Sequence, residues 1–300
     1  MSDPSHRFFA GKHLFVAGCG YVGGAVARRA RQAGVTVTAL TRNPDKAAAL
    51  RSEGIQTIIA DLADDAWHPQ VPATVDLVLN SVSSGGGGAA GYRHSYYEGM
   101  RSLLHWAAQA KVATCVYTSS TSVYPQGDGV TVDENAPLGE PTDENTEWLV
   151  GTENLLRDSN AVGRSFILRL AGIYGPGRHH VLDQIRAGGE LAGSGTHRLN
   201  LIHRDDAAEA VRAAFGAPAD ITSAVYNVAD DGPVAKAVLA AWLAAQLGRT
   251  APQFDPTLPS RRRRVVPDRV ILNAKIKREL GWQPRHPDYR AGYAEILATL

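Results

Sequence analysis

The sequence predicts an α/β protein: a doubly wound parallel sheet followed by a smaller C-terminal lobe. Three observations carry this. Short apolar runs alternate with helical stretches from His13 to Leu170, and the links between successive runs are long enough for crossover connections. The runs are rich in Val, Ile and Leu, as strands buried on both faces are. After Leu170 the alternation gives way to a glycine-rich stretch, Gly172 to Asn200, with little periodicity.

The elements follow in order. His13 to Ala17 is a short apolar run that stops at Gly18, and Val22, Ala25, Val26, Arg29 and Ala30 continue at helical spacing to Gly34. Val35 to Leu40 reads as the second strand. Asn43-Pro44-Asp45 starts a helix, with Asn43 as cap and Pro44 in the first turn. Ile55 to Ala60 and Val75 to Leu79 are the third and fourth strands, Tyr92 to Lys111 a helix, Ala113 to Thr118 the fifth strand, Asp143 to Arg157 a helix and Ser165 to Leu170 the sixth strand. Asp205 to Phe215 reads as a helix and Ala224 to Val228 as a strand returning to the sheet. Lys236 to Leu247 and Asn273 to Leu280 are further helices. The expected division is a nucleotide-binding domain over 1–170, joined by returning segments at about 200–230, and a discontinuous lobe over 171–300 lying at the carboxyl ends of the strands, where open α/β sheets bind ligands.

Composition narrows the classes. Of 300 residues, 44% are hydrophobic and 20% charged, an ordinary globular balance. A formal net charge of +1 provides no field for nucleic acid or an anionic membrane. No apolar run approaches the ~20 residues of a membrane span. Met1 to Gly11 carries Asp3, Pro4, His6 and Arg7 and lacks the pattern of a signal peptide. The 2 cysteines imply no disulfide framework, so a reducing, cytoplasmic setting is expected.

Gly18-Cys19-Gly20-Tyr21-Val22-Gly23 has the spacing G-x-G-x-x-G, placed after the first strand and opening the first helix. Gly18 permits a tight turn, Gly20 admits a pyrophosphate to the backbone, and Gly23 permits close helix–strand packing. This is the context of a dinucleotide site in a Rossmann fold. At the end of the second strand the chain reads Leu40-Thr41-Arg42-Asn43, without the acid that would hold an NAD ribose. Arg42 can grip a 2′-phosphate instead, so NADP is expected over NAD, a solvated surface arginine being the plain alternative. Asp61-Leu62 is placed to touch the adenine and Asn80-Ser81-Val82 to run alongside the cofactor.

These features together resemble the extended short-chain dehydrogenase/reductase superfamily, in its NAD-dependent epimerase/dehydratase branch. Further segments carry the resemblance: Thr118-Ser119-Ser120-Thr121-Ser122-Val123-Tyr124, Arg169 through Arg178, Leu201-Ile202-His203-Arg204-Asp205-Asp206, Tyr226-Asn227-Val228, and Arg278-Glu279-Leu280-Gly281-Trp282-Gln283-Pro284. The resemblance implies that Ser120 bonds the reacting oxygen, that Ile173 joins the cofactor contacts, and that Ser83, Trp148, Tyr174 and Arg178 face a substrate. It also implies a Tyr-x-x-x-Lys dyad, in which lysine lowers the tyrosine pKa from ~10 toward neutrality. The alignment instead places Trp148 and Thr152 there, and no tyrosine in the chain has a lysine four residues later. Indole does not titrate usefully and threonine carries no charge. The pattern resembles the atypical subgroup that keeps the fold and the cofactor loop without the dyad.

Tyr124, Tyr174 and His203 are the candidate surrogate acids, His203 having the most suitable unperturbed pKa, with hydrogen bonding at a helix start as its plain alternative. His179-His180 is read as loop chemistry, with no metal expected. Arg261-Arg262-Arg263-Arg264 is read as a solvated run, or as one arginine gripping a substrate anion. Cys19, at a helix N-terminus, is read as a buried neutral thiol before a reactive one. Two functions stand open: an NAD(P)-dependent enzyme on a polar carbonyl or nucleotide-sugar-like small molecule, favoured slightly, and a catalytically silent NAD(P)-binding regulator or redox sensor. The helices at Tyr92–Lys111 and Asp143–Arg157 are the expected interface of a homodimer.

Overall fold

The computed structural model describes residues 9, 11–72, 74–141, 143–258 and 267–300; the run Arg261–Arg264 lies outside them. Seven strands build the main sheet: β1 (His13–Ala17), β2 (Thr36–Thr41), β3 (Gln56–Ile59), β4 (Leu77–Asn80), β5 (Thr114–Ser120), β6 (Arg164–Leu170) and β7 (Ser223–Val228). All pair in parallel, in the order β3-β2-β1-β4-β5-β6-β7. The order reverses between β1 and β4, which is the switch point where ligands bind in a doubly wound sheet. The Rossmann expectation from the sequence therefore holds.

The helices are α1 (Tyr21–Gln32), α2 (Pro44–Ser52), α3 (Gly88–Tyr92), α4 (Gly99–Ala110), α5 (Glu144–Arg157), α6 (His180–Ala187), α7 (Arg204–Phe215), α8 (Lys236–Gln246), α9 (Ala274–Leu280) and α10 (Tyr289–Leu297). Caps set several boundaries. Asn43 accepts from the Lys46 amide with Pro44 in the first turn, and Asp143 accepts from the Thr146 amide. The expected helix from Tyr92 is longer and irregular: it begins at Gly88 and passes through a π turn over Arg93–Glu98 before α4. Gly87 and Gly91 face each other at its start, where a Gly87 Cβ would lie 3.0 Å from Gly91, and no periodicity in Ser83–Gly91 announces a helix.

Two apolar layers cover the sheet. One packs Val22, Val26, Phe166, Leu168, Val211 and Phe215 against one face. The other packs Phe15, Trp67, Leu103, Trp106 and Tyr117 against the opposite face. A third cluster gathers Tyr174, Leu182, Leu239, Leu243, Tyr293 and Ile296 from α6, α8, α10 and the segment after β6. The stretch Gly172–Asn200, which shows little periodicity in the sequence, contributes a strand and a helix: Gly172–Tyr174 pairs in parallel with Leu201–His203, and α6 follows.

Candidate functional site

The glycine turn joins β1 to α1 at the switch point. Gly18 has φ of 84°, and a Cβ there would lie 2.6 Å from the Val82 amide nitrogen, so the loops after β1 and β4 touch backbone to backbone. A Cβ on Gly23 would lie 2.4 Å from the Gly18 carbonyl oxygen, which fixes how closely α1 approaches the turn. A Cβ on Gly20 would meet nothing within 4 Å. Gly20 is also the cap of α1, has no side chain to bond the first-turn amides, and no acid stands in that turn. Open space in front of uncapped helix donors is the environment a pyrophosphate needs. The residues present thus fit a dinucleotide, whose diphosphate Gly20, Tyr21, Val22 and Gly23 would meet.

The other expected cofactor residues divide into two groups. Arg42 emerges half-exposed at the end of β2, with Nη1 3.3 Å from Asp61 Oδ2. A Cβ on Gly85 would lie 3.2 Å from Arg42 Nη2, so the loop after β4 borders the guanidinium. His94 Nε2 lies 3.0 Å from the same Asp61 oxygen. Burial would raise the Asp61 pKa, but His94, the Ala63 amide and Arg42 together hold it below its ordinary value. His94 was not legible beforehand, because the π turn that presents it has no sequence signature.

Several side chains expected along the cofactor face the core instead. Asn80 is fully buried, with Nδ2 3.8 Å from Met100 Sδ and Oδ1 accepting from the Val82 amide. Leu62 packs under Gly99, and its carbonyl accepts from the Trp67 indole. Thr41 is buried and accepts from the Asn43 amide. Ser81 accepts from the Thr118 hydroxyl, while Val82 and Ile173 are half-buried at the rim and Ser83 is exposed. Cys19 is buried, and burial pushes its thiol up to about 12, so the proximity of a helix N-terminus does not produce a thiolate. Tyr21 donates to the Pro176 carbonyl, and the guanidinium groups of Arg178 and Arg204 stand over its ring, at 5.5 Å and 5.3 Å. It therefore ties the glycine turn to the segment after β6.

Ser120, expected to bond the reacting oxygen, is less buried than the candidate acids Tyr124, Tyr174 and His203. It is half-buried at the end of β5 and accepts from the Ser122 amide, which leaves its O–H to donate. Tyr124 corrects the expectation. It is fully buried, donates to Asn227 Oδ1 at 2.8 Å and accepts from Arg169 Nη1 at 2.8 Å. Its phenol, raised by burial despite the guanidinium, cannot reach a substrate. Tyr174 is likewise removed: it stacks on Tyr293 at 5.0 Å and fills the space over Gly292. His203 is fully buried and caps α7 by accepting from the Asp205 amide, which is its plain alternative. Burial, then the neighbouring His286, hold its pKa below the ordinary value.

Trp148 and Thr152 lie one turn apart on α5. Trp148 is half-exposed between Tyr97, at 5.4 Å between ring centroids, and Arg93, 5.3 Å over its ring. Thr152 is fully buried and donates to the Trp148 carbonyl at 2.6 Å, so its hydroxyl is committed within the helix. Directly after it, Glu153 is buried and receives Arg169 Nη2 at 2.6 Å and the Ser119 hydroxyl at 2.6 Å. This Glu153–Arg169–Tyr124–Asn227 chain crosses beneath the site from α5 to β7. Its signal in the sequence was Arg169 inside an apolar strand, which demands a buried partner.

A parallel sheet in this order, with a glycine turn open at its switch point, defines a dinucleotide-binding protein of the Rossmann type. The chain belongs to the NAD-dependent epimerase/dehydratase family, whose model matches residues 14–229. It is 29% identical over 285 residues to protein YeeZ of Escherichia coli (strain K12), covering 92% of this chain and 97% of that one. It is 27% identical over 308 residues to 3-diazoavenalumate denitrifying reductase of a Streptomyces species, covering 93% and 98%. Among solved structures, a conserved protein of unknown function from Silicibacter pomeroyi matches with TM-score 0.77 and 27% identity over 96% of this chain and 99% of that chain. The dTDP-glucose 4,6-dehydratase of Streptomyces venezuelae, crystallised with NAD, shares the fold with TM-score 0.81 at 20% identity over 95% of both chains.

Proposed function

We propose that the protein is an NADP-preferring oxidoreductase acting on a polar carbonyl or nucleotide-sugar-like small molecule, within the atypical subgroup that works without a Tyr/Lys pair. The observation that carries this is the open, uncapped glycine turn with Arg42 at the end of β2, where a 2′-phosphate would lie. The bound nicotinamide supplies hydride chemistry. Ser120 donates its hydroxyl hydrogen to the reacting oxygen. Trp148, Tyr97 and Arg93 form an aromatic and cationic wall on α5 and the π turn, suited to a planar, anionic or carbonyl-bearing group. The full-length relationship to a reductase supports the enzymatic reading. The substrate-facing roles of Ser83 and Arg178 rest on their exposure beside these segments.

Stopped-flow oxidation of NADPH across carbonyl compounds and nucleotide sugars tests the reading. Turnover that falls by about 10²-fold in Ser120→Ala, the usual loss for one oxyanion donor, supports it. Turnover unchanged in that variant removes Ser120. A second reading is favoured by one observation: Thr152 is buried and bonded to its own helix, so no cation stands where the dyad's lysine would be. Tight NADPH binding with no turnover across the panel would establish that reading, a silent cofactor-binding regulator.

A further inference from the structure

We propose that Asp65, His68 and His105 form a binding site for a divalent transition-metal ion of zinc's ligand preference, on the outer face of the sheet's α4 side. Asp65 and His68 belong to the 3₁₀ turn Asp65–Gln70, and His105 to α4. Their donor atoms lie within 4.8 Å of one another. His68 Nε2 is 3.3 Å from Asp65 Oδ1, and His105 Nδ1 is 3.2 Å from Asp65 Oδ2. Two ligands on a tetrahedral zinc, each about 2.0–2.1 Å from the metal, stand about 3.3 Å apart. Each imidazole nitrogen therefore already stands about one such edge from an Asp65 carboxylate oxygen, His68 from Oδ1 and His105 from Oδ2, and two imidazoles with one carboxylate are a donor set zinc accepts.

The geometry is set from below. Trp67 precedes His68 and Trp106 follows His105, and these two indoles pack on each other at 5.5 Å, with Phe15 stacked on Trp67 at 5.3 Å. The imidazole of His68 stands edge-on to Trp67 at 4.4 Å. Core packing thus fixes the backbone at both histidines before any ion arrives. Ser102, one turn before His105, donates to Asp65 Oδ1 at 2.7 Å and lies 3.1 Å from His68 Nε2, so it aims the carboxylate. A cavity of about 570 Å³, lined also by Asp64, Glu98 and Arg101, opens in front and leaves room for water as a fourth ligand.

The other convergence of such groups among the described residues, His203, Asp206 and His286, is not equivalent. Asp206 already accepts from the Arg285 amide, the His286 amide and His286 Nδ1. His203 Nδ1 accepts from the Asp205 amide, which places the proton of the neutral ring on Nε2. In that buried cluster Asp206 is already engaged by three donors, and the protonated His203 Nε2, which has no hydrogen-bond partner among the described residues, offers a metal no lone pair.

Tag-free full-length protein, dialysed free of metal, tests the proposal by calorimetric titration with Zn²⁺ and by the visible absorption of bound Co²⁺. One equivalent of saturable binding is expected. His105→Ala, at an exposed position, and Asp65→Asn are each expected to weaken it by more than about tenfold, since loss of an outer-shell partner alone commonly costs that much. Absence of saturable binding in the unsubstituted protein, or an affinity and Co²⁺ spectrum that survive both substitutions, would overturn it.

Discussion

Arg169 brings a permanent charge into the buried C-terminal end of β6, and Glu153 is what makes this tolerable. With both side chains buried, removing the acid leaves a desolvated guanidinium whose remaining hydrogen-bond partner among the described residues is Tyr124. Such a loss commonly costs about 3–5 kcal/mol. Urea melts of Glu153→Ala are expected to show a deficit of that size, and Glu153→Gln, which keeps an acceptor, a smaller one. An unchanged midpoint in Glu153→Ala would mean that water reaches the pair. A second expectation at this scale concerns Arg42. Its guanidinium makes one long contact with Asp61 and is otherwise half-exposed, so it is available to a phosphate. A charge-assisted hydrogen bond of about 1.5–3 kcal/mol corresponds to roughly 10- to 100-fold in affinity. Fluorescence titration should show NADPH binding weakened by that factor in Arg42→Ala, with NADH little affected. Equal affinities for the two nucleotides, indifferent to the substitution, would remove the NADP preference. Single side chains were the hardest level to foresee. Tyr124, Tyr174 and His203 occupy segments that line the site, yet each turns inward, because direction at a strand end depends on packing partners far away in sequence, Asn227, Asp288 and His286.

Elements were far more legible. The strands of the sheet and helices such as α1, α5, α7 and α8 announce themselves by apolar period, and shift by only a few residues at their ends. What stayed hidden were pieces without local signal: the π turn, the 3₁₀ turn at Asp65–Gln70, and α6 and α10, whose apolar faces make sense only within the third cluster, with α8. The glycine turn shows how a motif becomes a physical statement at this scale. Its three glycines make different demands, and substitution can separate them. Gly20→Ala places a methyl group in open space, so stability should change by no more than about 1 kcal/mol while dinucleotide binding falls sharply. Gly23→Ala drives a methyl group into the Gly18 carbonyl, and overpacking of this kind costs about 1–3 kcal/mol. Thermal melts with and without NADPH distinguish the two. If Gly20→Ala binds NADPH as the parent does, the diphosphate lies elsewhere.

At the scale of the whole molecule, the C-terminal segment is fastened to the sheet domain by ionisable groups, which makes that attachment depend on pH. His286 bridges Asp206 on α7, at 2.8 Å, and Glu295 on α10, at 2.9 Å, with the His203 ring 3.9 Å away. The hydrogen bond to Asp206, with further help from Glu295, outweighs burial and raises the His286 pKa above 6.5. Near the same junction, Asp230 is buried with Oδ2 lacking a partner among the described residues, and burial pushes its carboxyl up to about 8. In both cases folding favours the protonated form. For Asp230 the contribution is complete below the unfolded carboxyl's 3.8 and is lost progressively as pH rises toward about 8. For His286 it is complete below 6.5 and is lost as pH rises through the higher folded value. The two losses act in the same direction, so their sum should make the protein less stable at pH 8 than at pH 6, beyond what other groups impose. Asp230→Asn should flatten the decline across the whole acid-to-neutral range, whereas His286→Gln should flatten only the part above 6.5 and lower stability below it. Denaturant midpoints measured from pH 5 to 9 for the parent and both variants separate these contributions. A parent whose midpoint rises from pH 6 to 8, with neither substitution altering the slope, would show that the junction is held by packing alone.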